Sequence, residues 1–200
     1  ILVMAADVHL IRKDGIHPKH EIIRYHEFFY EHLKNLPKGS KVLDVGCGNG
    51  FVANYISSLD LQVTGCDISG SAIKYCRDNY ASGNINWIHA DINELAMGGD
   101  RSLQAIILSN VMEHIRSDTN LITTLLQMLT IDGIILIRVP SLSRNWVDRY
   151  LYNVKQEYRL DPTHYKEYDL LDLYSLASIC NCRLLLHSEK WGEIYAVFQK

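Results

Sequence analysis

The chain has 200 residues, 48% of them hydrophobic and 22% charged, with a formal net charge of −3. That length fits one domain, expected to span residues 1–200, and the composition is that of a packed chain, not a disordered one. The weak acidity excludes a general attraction to nucleic acid or anionic lipid, and no apolar run approaches the ~20 residues of a membrane-spanning helix. Residues 1–6 are apolar but too short, and lack the flanks, for a secretory signal. From residue 18 to 36, Ile22, Ile23, Phe29 and Leu33 recur at helical spacing, with Pro18 suited to a first turn and Pro37 and Gly39 closing the helix. Residues 42–45 then read as a buried strand, 46–50 as a glycine-rich turn and 51–59 as a helix. A second strand spans 62–66, and Ser69 or Ser71 caps a helix running to about residue 80. Strands follow at 85–89 and 103–108, a helix at 119–129 with Asp118 near its positive end, and a strand at 133–139 closed by Pro140.

After Pro140 the rhythm changes. Residues 141–165 are polar and aromatic without clear periodicity, and a helix at 169–179 follows. Two β-like runs, 183–189 and 194–199, are joined by Lys190-Trp191-Gly192-Glu193. So short a link demands an antiparallel pair, because a parallel crossover needs about a dozen residues. The alternation of strands and helices predicts an α/β fold, five parallel strands plus this hairpin, with helices on both faces of the sheet.

Val42-Leu43-Asp44-Val45-Gly46-Cys47-Gly48-Asn49-Gly50 joins a buried strand to a helix. Glycines let the chain turn sharply and let a ligand approach bare backbone at a helix start. The dinucleotide fingerprint wants a third glycine where Phe51 stands, and a phosphate-binding loop wants Gly-Lys-Ser/Thr, which is missing. Asp44, just before the turn, would repel a pyrophosphate but suits the ammonium of a methionine moiety. Two further acids close strands two and three. Asp67, followed by Ile68, can accept both hydroxyl protons of a ribose; Asp91, followed by Ile92, can accept an adenine amino proton while Ile92 packs on the ring. The plain alternatives are a tight turn, a helix cap at Asp67 and a solvated loop acid at Asp91.

The set resembles class I S-adenosylmethionine (SAM)-dependent methyltransferases, particularly the small-molecule group similar to the ubiquinone-biosynthesis O-methyltransferases. The matching pieces are Asp44 to Gly50, Asp67, Ala90-Asp91, Ser109-Asn110-Val111-Met112-Glu113-His114 and Asp161-Pro162-Thr163-His164-Tyr165. The resemblance implies a Rossmann-like seven-stranded sheet of order 3-2-1-4-5-7-6 with strand seven antiparallel. It implies SAM as cofactor, leaving as S-adenosylhomocysteine, held by Asp44, Gly46, Cys47, Gly48, Asp67, Ile68, Asp91, Ile92 and Asn110. In related enzymes the N-terminal helix, here 18–36, covers SAM, so Tyr25 joins that set and Arg24 is a second candidate for the SAM carboxylate.

For a hydroxyl acceptor the chemistry needs positioning and removal of a proton. His114, after strand four, and His164, before the last helix, are the candidate catalytic residues; otherwise they order loops, with Glu113 merely solvated. In the ubiquinone group an E-x-x-E-H pattern here is associated with a divalent metal. Asn110 replaces the first acid, so no metal is assigned. Residues 141–165 carry Arg144, Trp146, Arg149, Tyr150 and Tyr152 and are expected to form a lid over a small-molecule acceptor, most simply an oxygen nucleophile. The alternative for that segment is a packing or homodimer surface. A nucleic-acid acceptor has no wider basic face to support it. An RNA or protein methyltransferase and a non-catalytic SAM-binding module are the competing readings. Five cysteines, an odd number without scaffold spacing, read as free thiols in a cytoplasmic protein, with Cys180 and Cys182 packed in the core.

Overall fold

The computed structural model describes residues 19–80, 85–96 and 101–200. Residues 1–6 and Pro18, read above from sequence, lie outside the described residues. The described residues build one seven-stranded sheet of order β3-β2-β1-β4-β5-β7-β6. The strands are β1 (Lys41–Val45), β2 (Gln62–Asp67), β3 (Ile85–His89), β4 (Leu103–Ser109), β5 (Leu129–Pro140), β6 (Arg183–Lys190) and β7 (Glu193–Gln199). The first five run parallel, and β7 lies antiparallel to both β5 and β6. This is the order the resemblance implies, and the terminal hairpin deduced from the short link is present. Its turn, Trp191-Gly192, has positive φ at both residues, 59° and 75°, the backbone form whose twist matches a two-residue hairpin.

Central strands read as continuous apolar runs because both faces are covered. Ala105 to Leu108 of β4 are fully buried. One face packs Phe29 and Leu33 of α2 (His26–Leu33), Ile56 of α3 (Phe51–Ile56) and Ile73 of α4 (Gly70–Asn79). The other packs Leu95 of α5 (Ile92–Ala96), Ile122 and Leu125 of α6 (Asp118–Met128), and Leu173 and Leu176 of α8 (Leu170–Ile179). Asp169 caps α8 in a reciprocal pair with Asp172, which satisfies two otherwise orphaned N–H groups. Cys180 and Cys182 are half-buried against this second cluster, and all five cysteines are free.

Two expectations change. The single helix over 18–36 is broken: α1 (Lys19–Ile22) ends before Arg24, which has φ of +50°, and α2 starts at His26. The reason is packing. Tyr25, Phe29 and Leu33 bury a stripe on the sheet, while Ile22 is 67% exposed and cannot share it. Residues 141–165 are not wholly irregular either. They contain α7 (Trp146–Asn153), whose start is capped by Asn145 accepting from the Asp148 N–H at 2.9 Å. Among the described residues, no helix is long and apolar enough to cross a membrane.

Candidate active site

β1 and β4 are neighbours whose following connections run to opposite sides, the kind of switch point where open α/β sheets take ligands. A cavity of about 480 Å³ opens there at the carboxyl ends of the strands. Its wall includes Gly46, Asp67, Ile68, Asp91, Ile92, Asn110 and His114, seven residues singled out from sequence. Val45, Cys66, Ala90, Val111 and Ile115 complete it. Val45, Ala90 and Val111 stand within the matching pieces, whereas Cys66 and Ile115 lie outside them and are brought to the wall by the fold.

The glycine turn is shaped by close approach. Gly46 has φ of +63°, and a Cβ there would stand 2.7 Å from Cγ2 of Val111. At Gly50, φ is +75° and a Cβ would meet Trp87 at 2.7 Å and the Cys76 sulfur at 2.8 Å. No side chain fits either place. Asp67 is held from two sides: Oδ2 accepts the Gly48 N–H and Oδ1 accepts the Ser69 N–H, both at 2.8 Å. Ser69, not Asp67, is the cap of α4, accepting the Ala72 N–H. Each Asp67 oxygen keeps a further lone pair for a ligand hydroxyl. Ile68 is 72% exposed beside it, an apolar surface suited to a ring.

Four expected cofactor residues do not reach the cavity wall: Asp44, Cys47, Gly48 and Tyr25 are absent from its lining. Asp44 lies behind the turn, bonded to the Ala53 N–H, while its Oδ2 is buried without a hydrogen-bond partner among the described residues. Burial pushes its carboxyl up to about 7. Tyr25 packs its ring against the Arg138 guanidinium, 3.9 Å from the centroid. Arg138 in turn pairs with Glu193 at 2.8 Å. Burial raises the Cys66 thiol to about 12 and the Cys76 thiol to about 11, so both are inert packing groups.

On the far wall Asn110 adopts φ of +56°, and its Oδ1 is buried without a partner among the described residues. The next turn, Met112–His114, is stitched to residues 161–168. Tyr165 N–H donates to the Glu113 carbonyl at 2.7 Å, and the Tyr168 hydroxyl to the Met112 carbonyl at 3.2 Å. This brings His164 to His114, their rings edge-to-face with centroids 4.8 Å apart. His114 Nδ1 meets Thr163 Oγ1 at 3.2 Å, and His164 Nδ1 meets Glu167 Oε1 at 3.4 Å. Burial, then His164, holds His114 below the ordinary histidine range, so its ring is neutral at pH 7. His164 itself is buried and does not border the cavity.

Glu113 is the residue the sequence reading underrated. It is fully buried, neither carboxylate oxygen has a hydrogen-bond partner among the described residues, and burial pushes it up to about 8. Glu113, His114 and His164 each offer a ligand atom within 4.8 Å of the others, a set able to hold a metal ion. No residue of the expected lid, 141–165, borders the cavity. Arg144 is spent on Glu167 and on Asp148 at 2.8 Å, and Arg149 on Asp169 at 3.0 Å. The segment reaches the site through Thr163, His164 and the Tyr165 N–H.

Residues 42–133 match the family model described as a methyltransferase domain. A probable S-adenosylmethionine-dependent methyltransferase of Mycolicibacterium smegmatis is 25% identical over 81% of this chain and 59% of its own length. A ubiquinone biosynthesis O-methyltransferase of Xanthomonas axonopodis pv. citri is 30% identical over 66% of this chain and 57% of its own. The chain thus spans a little over half the length of these curated relatives. Among solved structures, a SAM-dependent methyltransferase from Aquifex aeolicus superposes with TM-score 0.71 at 14% identity, covering 98% of this chain and 96% of that one. One from Archaeoglobus fulgidus gives 0.65 at 17% identity, covering 91% and 92%. At such identities the likeness speaks for the fold.

Proposed function

We propose, on the premise that this chain belongs to the SAM-dependent methyltransferases, that it transfers a methyl group to an oxygen of a small-molecule acceptor. When bound, SAM supplies an electrophilic methyl on a sulfonium. The observation that carries the reading is Asp67, fixed by two backbone N–H groups on the cavity wall with Asp91 closing the neighbouring strand. Asp67 binds the ribose hydroxyls through its remaining lone pairs, and Asp91 and Ile92 hold the adenine edge and face. Ile68 covers the ring from the solvent side. Asp44 Oδ2, orphaned behind the turn, takes the ammonium, and Gly46, Cys47 and Gly48 present backbone to the methionine part. Tyr25 closes that end through its contact with Arg138, and Asn110 Oδ1 offers a further polar contact.

Across the cavity, His114 stands on the acceptor side. A neutral imidazole there can accept the hydroxyl proton, and His164 with Thr163 sets the ring's direction. An oxygen acceptor fits this pair, because a hydroxyl must lose a proton during transfer. The ubiquinone O-methyltransferase relative supports the same atom and a small-molecule substrate. The five free thiols support a cytoplasmic setting. Calorimetric titration with S-adenosylhomocysteine, then an acceptor panel read by its release, tests the proposal. Tight binding with turnover on a hydroxylated small molecule supports it, and binding without turnover on any acceptor would favour a SAM-binding module.

A further inference from the structure

We propose that Glu113, His114 and His164 form a binding site for a nitrogen-preferring divalent transition metal such as Zn²⁺, with His164 the ligand that takes the place of the acid missing at Asn110. As a statement about the acceptor side of the cleft it rests on the function proposed above, but its test does not depend on turnover.

Three observations carry it. First, His164 lies about fifty positions from the adjacent pair Glu113 and His114, yet the ligand atoms of all three lie within 4.8 Å of one another. With metal–ligand distances of roughly 2.0–2.2 Å, closing that triangle takes movements of about 1 Å. Second, Glu113 is fully buried and both its carboxylate oxygens lack a hydrogen-bond partner among the described residues. A buried carboxylate without a partner is costly, and a cation is the partner that its position supplies. Third, both rings are oriented from outside the cluster. His114 Nδ1 is engaged by Thr163 and His164 Nδ1 by Glu167, which leaves Nε2 of each as the remaining ligand atom. A ligating histidine that gives its other nitrogen to a hydroxyl or carboxylate is the usual second layer of a metal site. Glu167 is itself fixed by Arg144 and by the Leu160 N–H at 2.6 Å.

The ligand set decides the metal. Two imidazoles and one carboxylate suit Zn²⁺, Fe²⁺, Co²⁺ or Ni²⁺, whereas Mg²⁺ wants oxygen ligands and Asn110 offers only a neutral amide where the related pattern has an acid. Three protein ligands also leave a coordination position free on the cavity side, where His114 borders the cleft. Such an ion supplies Lewis-acid polarisation when bound. With the ion bound, His114 would serve as a ligand, so its role as proton acceptor belongs to the metal-free chain.

The test uses Co²⁺ as a spectroscopic probe on chelator-treated protein. Expected are stoichiometric visible d–d absorption, displacement by Zn²⁺ but not by Mg²⁺, and two hyperfine-shifted, solvent-exchangeable NMR signals, one from each ligating imidazole. His164→Ala and Glu113→Gln should each weaken Zn²⁺ and Co²⁺ at least about tenfold, with S-adenosylhomocysteine titration as the control for folding. The proposal is overturned by a wild-type chain without Co²⁺ absorption, by a single imidazole signal, by Mg²⁺ binding as tightly as Zn²⁺, or by unchanged Zn²⁺ affinity in a folded His164→Ala chain. Should both variants unfold, the wild-type spectra decide alone. Failure to bind S-adenosylhomocysteine with metal binding intact would instead sink the methyltransferase reading and leave the metal site standing.

Discussion

His114 and His164, fifty positions apart in sequence, meet edge-to-face with ring centroids 4.8 Å apart. The contact exists because Tyr165 and Tyr168 tie the segment ahead of α8 to the turn after β4. It puts a buried histidine behind the one that borders the cleft. In the chelator-treated chain, His114→Ala should therefore slow single-turnover methyl transfer by roughly a hundredfold or more, the range for loss of an acid–base group. Affinity for S-adenosylhomocysteine should change little, because Asp67 and Asp91 carry that binding. Unchanged turnover would remove His114 from the chemistry.

Asp44 gives a pH dependence with a definite sign. Its carboxyl is raised from 3.8 to about 7 by burial, so between those values the folded chain keeps a proton that the unfolded chain has lost. Stability should fall as pH rises across that window and level off above about 7. SAM affinity should move the other way, rising as the carboxylate forms and can meet an ammonium. Calorimetry and thermal unfolding from acid to neutral pH check both slopes. Asp44→Asn should flatten both, and a variant that retains the two slopes would assign them to another group.

Gly46 is fixed by shape. Gly46→Ala must hold φ near +63° and place a Cβ 2.7 Å from Val111. The variant should lose at least about 1 kcal/mol of stability and bind S-adenosylhomocysteine more weakly, since Val111 is pushed into the cleft it borders. Val111→Ala in the same chain should restore part of the binding, a coupling that a double-mutant cycle measures. Independent, additive effects would show that the steric account is wrong.

The sheet order and the glycine turn were legible in sequence because local signals specify them: apolar runs, breakers and strand-end acids. Asp67, Asp91 and His114 fell on the cavity wall for the same reason, since Asp67 ends its strand and the other two lie in the short stretches just after theirs. What sequence did not reveal depends on packing between distant segments. The break at Arg24 comes from which aromatic residues the sheet accepts. The retreat of Asp44 and Tyr25 from the cavity wall comes from burial against α3 and Arg138. Arg144 and Arg149 looked available for an acceptor, yet they are consumed by Glu167, Asp148 and Asp169. Glu113 looked solvated because one residue in a short turn gives no periodic signal of burial.

The most direct measurement is calorimetric titration of the wild-type and Asp67→Ala chains with S-adenosylhomocysteine. Asp67 is the carboxylate that the Gly48 and Ser69 N–H groups hold at the cleft, so its loss should weaken binding at least about tenfold, or 1.4 kcal/mol. Equal affinity in the two chains, or no binding by the wild type, would contradict the account.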